Sequence, residues 1–136
     1  APAASDTEEV IDPHHCDALC EQFADQFPRL HTIAFTGREP LSASHHLWTA
    51  LLWDSGDIHA APCYDIQPVV DRVGSGDAFC AALIYALKND MDNREAVEFA
   101  AAAGCLKHSI WGDFNLATQE EIEELAAGED SGRVNR

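Results

Sequence analysis

The sequence predicts an α/β fold, and three observations carry that expectation. A helical stretch, a proline, a short apolar run and a glycine follow one another over residues 14–37, the αβ unit of a doubly wound sheet. Two apolar runs, 47–53 and 58–64, flank Asp54-Ser55-Gly56-Asp57, which has the composition of a hairpin turn. Further amphipathic and alanine-rich segments bring the expected helices to three or four.

Residues 1–12 are polar and expected to be flexible. Asp12-Pro13 opens a helix over 14–27, because proline is pre-shaped for the first turn and has no amide hydrogen to leave unpaired. Leu19, Phe23 and Phe27 recur at helical spacing as its apolar stripe, and Pro28 ends it. His31-Thr32-Ile33-Ala34-Phe35-Thr36 has the composition of a buried parallel strand, with Gly37 as the loop behind it. Beyond the hairpin, residues 78–87 form an apolar helix. Asp92 or Asn93 caps another over 95–107, whose alanines allow close packing. Thr118-Gln119-Glu120-Glu121 has the pattern of a capping box, and Gly128 closes that last helix. No repeat or low-complexity tract interrupts the chain, so 1–136 is read as one domain.

The most informative stretch is Val70-Asp71-Arg72-Val73-Gly74-Ser75-Gly76-Asp77-Ala78-Phe79. Small residues at Gly74, Ser75 and Gly76 allow a sharp turn whose amides point into one concavity. The helix behind supplies first-turn N–H groups with no intrahelical partner and the positive end of its dipole, together an anion site. Asp77 stands at its mouth. A carboxylate there is poor at holding phosphate but well placed to take a proton from an attacking hydroxyl, so the pattern points to phosphoryl transfer to an alcohol. The same residues also make an ordinary helix start, with Asp capping the first turn.

Asp71-Arg72-Val73-Gly74-Ser75-Gly76-Asp77-Ala78-Phe79 resembles the second signature of the PfkB, or ribokinase-like, carbohydrate kinases. Arg72 departs from the commonest form, and the Asp-Arg-Val-Gly start is similar to that of 2-keto-3-deoxygluconate kinases. Lys107-His108-Ser109-Ile110-Trp111-Gly112-Asp113-Phe114-Asn115-Leu116 resembles a stretch near the C-terminus of that subfamily. Leu41-Ser42-Ala43-Ser44-His45 and Ser131-Gly132-Arg133-Val134-Asn135-Arg136 are similar too, so the likeness runs from about Pro28 onward.

The resemblance implies the C-terminal portion of a ribokinase-like doubly wound sheet, in a family whose members are roughly twice this length. The sugar-binding half and the family's Asn-x-x-Glu motif have no counterpart here, so the chain is expected to be the nucleotide half of such an enzyme. It further implies ATP as phosphoryl donor, Mg²⁺ bridging its β- and γ-phosphates, and 2-keto-3-deoxygluconate phosphorylated on its 6-hydroxyl. Asp77 would be the general base, and Gly74, Ser75 and Gly76 the anion hole. Thr36, Gly37 and Arg38 would meet the nucleotide phosphates, with Ala103, Gly104 and Lys107 around the adenine. Asp113 and Asn115 would order the same end. Local readings stand beside these: a strand-ending turn at 36–37, a surface role for Arg38, a tight helix contact at 101–104, and Asp71 bracing the turn.

Acids outnumber Lys and Arg 24 to 8, a formal charge of −16. Nucleic acid and anionic membrane are therefore poor partners, and positive potential must be concentrated locally. The acid excess is compatible with a salt-adapted host and equally with an ordinary acidic surface. Five cysteines without framework spacing, no apolar run long enough to span a bilayer and no recognisable signal peptide lead us to expect a cytoplasmic protein. Exposed sheet edges would favour homo-oligomers. Three other readings remain: a non-catalytic ADP- or ATP-binding module, a kinase for another sugar, and a metal or assembly domain built on His14-His15-Cys16 with Cys20. Two ligands on one helix do not close a tetrahedral metal site.

Overall fold

The computed structural model describes residues 10–128. Residues 1–9 of the expected flexible lead, and the ending 131–136, lie outside the described residues. In chain order the structure has helix α1 (Pro13–Gln26), strands β1 (Thr32–Ser42), β2 (His45–Asp54), β3 (Asp57–Ala60) and β4 (Tyr64–Ile66), then helices α2 (Ser75–Lys88), α3 (Asn93–Lys107) and α4 (Gln119–Ala126). The α/β class, the hairpin and the helix positions agree with the sequence.

The helix starts follow from local chemistry. Asp12 accepts a hydrogen bond from the His14 amide at 2.9 Å, with Pro13 in the first turn. Asp92 with Glu95, and Thr118 with Glu121, form reciprocal capping boxes on α3 and α4. The exception is α2, whose N-cap Gly74 offers no side chain.

β2 is the central strand. β1 pairs with it antiparallel from Thr32↔Asp54 to Ser42↔His45, while β3 and β4 share its other edge in succession. The strand expected to be parallel over 31–36 is therefore antiparallel and longer. Ala43-Ser44 is the whole connection to β2, whereas a parallel pair needs a crossover of a dozen residues or more. The same ladder carries β1 through Gly37, expected as loop; it is buried opposite Thr49, with Val10 and Ile11 against it. Pro40 sits beside a bulge on this strand, where a missing donor costs least.

Helices cover both faces of β2, which is why residues 46–53 are buried without alternation. Trp48, Ala50 and Leu52 join the core formed with α2, α3 and α4. On the opposite face the Trp53 indole donates to Asp17 of α1 at 3.0 Å. The expected stripe of α1 is not its buried line: Cys16 and Cys20 are buried, while Phe23 and Phe27 are exposed. Cys16 and Phe23, like Cys20 and Phe27, are seven residues apart and so differ by only about 20° around the helix; the exposed pair lies toward its C-terminal end, with Phe27 at the C-cap.

Candidate active site

Residues 71–77 link the sheet to α2 and place the signature at one end of the core. Gly74 has φ +84°, the left-handed conformation that glycine adopts without strain. A Cβ there would also lie 2.1 Å from the Asp113 carbonyl oxygen, so the two loops touch backbone to backbone. The Ala78 amide makes the first helical bond, to Gly74, and the Ser75 amide donates to the Arg72 carbonyl at 3.2 Å. The amides of Gly76 and Asp77 precede the first helical acceptor, and no acceptor among the described residues takes them. Around Gly76 the position of a Cβ is open space.

Asp77 is exposed in the first turn of α2. It does not cap the helix, since the N-cap is Gly74, and among the described residues its carboxylate accepts no hydrogen bond. The ordinary reading of this aspartate as a cap therefore fails on geometry. Asp77 thus sits, exposed, in the same first turn as the two open amides, at a positive helix end.

The loop is held from beneath. Asp71 accepts from the Val73 amide at 3.0 Å and from the Gly112 amide at 3.1 Å, tying the signature to the loop after α3. These bonds, the Val73 one above all, hold its carboxyl below the usual range, with Lys107 adding attraction. Asp71 is thus the brace that one sequence reading expected.

Lys107, expected around the adenine, has no exposed surface. Its ammonium donates to the carbonyls of Ile110 at 2.9 Å and Asp71 at 3.3 Å, so it locks the two loops together from inside. His108 beside it is also fully buried, with Nδ1 donating to the Gly104 carbonyl at 2.7 Å. Because a carbonyl only accepts, that bond fixes the proton on Nδ1. Burial, outweighing that bond, pulls the imidazole down to about 4.

Gly104 is likewise taken from within. The Trp48 indole lies over it, a Cβ there would come within 2.5 Å of the ring, and Trp48 Nε1 donates to the Ala101 carbonyl at 2.9 Å. The tight contact is realised here, though by strand against helix. Ala103 has no exposed surface but lines a groove of about 260 Å³ between α2, α3 and α4, with Ala78, Ala82, Tyr85, Asn115 and Gln119. Tyr85 stacks on Phe99 and donates to Gln119 at 2.8 Å; Asn115 reaches the Ala103 carbonyl at 3.4 Å. Sequence reasoning missed Tyr85 and Gln119. The small-residue face of α2, Ala78 and Ala82 followed by Tyr85, was the available signal.

Thr36 and Arg38 are exposed in the middle of β1, not at a strand end. Arg38 shares a second cavity with Arg72. His45 pairs with Asp65 at 2.6 Å. Burial, with Cys16 and Asp17 nearby, pushes the Cys20 thiol up to about 11, away from the thiolate a soft metal needs. Among the described residues no group of three or more His, Cys, Asp or Glu is gathered for a metal ion. Among the same residues no helix is long and apolar enough to cross a membrane.

Residues 12–110 match the family described as pfkB family carbohydrate kinase. Among curated proteins, the 2-dehydro-3-deoxygalactonokinase of Haloferax volcanii is 31% identical over 83 residues, 61% of this chain and 26% of that protein. The crystal structure of the 2-dehydro-3-deoxygluconokinase of Thermotoga maritima superposes with a TM-score of 0.81 at 39% identity, over 86% of this chain and 35% of that one. A pfkB family carbohydrate kinase from Listeria grayi superposes at 0.76 with 40% identity, over 79% of this chain and 33% of the other. The chain thus spans about a quarter to a third of the length of these relatives.

Proposed function

The chain belongs to the pfkB family of carbohydrate kinases, and from that premise we propose that it serves an ATP-dependent kinase acting on a hydroxyl of a sugar acid, with 2-keto-3-deoxygluconate phosphorylated to its 6-phosphate. The relatives named for 2-dehydro-3-deoxy sugar acids support the substrate class. One observation carries the reading: Asp77 stands exposed and uncommitted in the first turn of α2, beside the open amides of Gly76 and Asp77.

In this reading Asp77 accepts the proton of the sugar hydroxyl as its oxygen attacks the γ-phosphoryl group. The amides of Gly74, Gly76 and Asp77 meet the charge that develops on the transferred oxygens. Each such preorganised donor is worth about 3 kcal/mol in comparable sites. Ser75 contributes through the turn it holds, since its own amide serves Arg72. Lys107 and Asp71 keep the loop in place from beneath. The groove of Ala78, Ala82, Ala103 and Asn115 receives the base, and Thr36 and Arg38 face the phosphates along β1. Mg²⁺ bound with the nucleotide would neutralise phosphate charge, and Asp77 stays free of it as the proton acceptor.

A second reading has its own support in the fraction of each relative that the chain spans: it binds ADP or ATP without transferring phosphate. Calorimetry with ADP, and ADP release from Mg-ATP with and without the sugar acid, separate the two. Saturable binding without sugar-dependent release favours the module; release abolished by Asp77→Asn favours the kinase.

A further inference from the structure

We propose that Arg38, Arg72 and His46 form an oxyanion pocket for a phosphate group, on the sheet side of the signature loop. The inference deepens the kinase reading and rests on it for the molecule that carries the phosphate, not for the pocket itself. A cavity of about 500 Å³ is lined by Arg38, Ser42, His46, Val70, Asp71 and Arg72. The first residues of the signature line it, and residues 74–77 do not, which separates it from the open amides of α2.

Charge makes this cavity unusual in this chain. Lys and Arg number only 8 against 24 acids, yet two arginines line one cavity. Among the described residues the ion pairs are His45–Asp65 and Arg94–Glu98, so neither guanidinium has a carboxylate partner there. The one carboxylate in the lining, Asp71, has an amide on each oxygen. His46 is 4% exposed, and its Nδ1 has no hydrogen-bond partner. Burial first, then Arg38 and Arg72, hold its imidazole below the usual range, so both guanidinium groups act on that ring.

Two unpaired cations facing one cavity repel each other until an anion enters. A phosphate dianion balances both, and its tetrahedral oxygens accept parallel N–H pairs from each planar fork. A carboxylate carries half that charge. The phosphate has two sources: the tail of a nucleotide, or a free phosphate or phosphorylated sugar.

The test is calorimetric titration of the protein with inorganic phosphate, without magnesium or sugar. Saturable binding is expected, weakened at least tenfold by Arg38→Gln and by Arg72→Gln. Arg72→Lys, which keeps the charge but loses the fork, is expected to weaken it too, and melting temperature checks each fold. Displacement of phosphate by ADP assigns the pocket to the nucleotide tail; simultaneous binding assigns it to the other source, and either result upholds the pocket. Absence of phosphate binding, or binding unmoved in both glutamine variants, overturns it. That failure leaves the kinase reading intact, because turnover in Asp77→Asn reports on the loop alone.

Discussion

At the scale of single residues, His108 makes a stability claim that can be checked directly. Its imidazole is pulled from an ordinary 6.5 to about 4, by burial first, with His46, Arg38 and Lys107 adding repulsion and the Gly104 carbonyl opposing them. Between those values the unfolded chain binds a proton that the folded chain refuses. The stabilisation is complete above pH 6.5 and is lost as pH falls toward 4, an effect of about 3 kcal/mol. Asp71, held low by its amide bonds, adds loss in the same direction below its ordinary value. Urea melts at pH 7.5 and 4.5 should show the drop, and His108→Gln should flatten most of it; an equal drop in that variant contradicts the assignment. The sequence made Gly74 and Asp77 legible, because a turn, two open amides and a carboxylate follow from seven adjacent residues. It could not make Lys107 legible, since one of its two acceptors, the Asp71 carbonyl, lies 36 residues away.

Among the elements, α3 shows where composition leaves two answers open. Its small residues were compatible with a flat base or a close contact, and the Trp48 ring settles Gly104 as contact while Ala103 faces the groove. Gly104→Ala is therefore expected to destabilise by about 1–3 kcal/mol, because a methyl at 2.5 Å from a buried indole forces strand and helix apart. Thermal melts measure it, and an unchanged melting temperature rejects the contact. Helix starts were legible from Asp12, Asp92 and Thr118 because a cap is a local bond. Strand direction at 32–42 was not, since the apolar run is the same in either sense and the two-residue link to β2 decides it. The buried line of α1 was misread for a related reason: spacing gives a face, but not how far along it burial extends, which takes in Cys16 and Cys20 and leaves out Phe23 and Phe27.

Across the whole molecule, the signature, the loop after α3 and the groove lie around the N-terminus of α2 and the C-terminus of α3. β1 pairs with β2 along one side, and among the described residues its other side carries no strand. Large apolar side chains are exposed as well, Trp111 at 80% and Phe114 at 78%, both in the loop packed against Gly74. An open edge with apolar surface favours association. Sedimentation velocity should show mass increasing with concentration; a monomer across the micromolar range contradicts this.

The central claim is that Asp77 is the proton acceptor of a sugar-acid kinase. It is tested most directly by ADP release from Mg-ATP, with and without 2-keto-3-deoxygluconate, for the protein and its Asp77→Asn variant. Sugar-dependent release is expected to fall by about 10²–10⁴ in the variant, with melting temperature and ADP affinity nearly unchanged. Sugar-dependent release at near-normal rate in Asp77→Asn would contradict it.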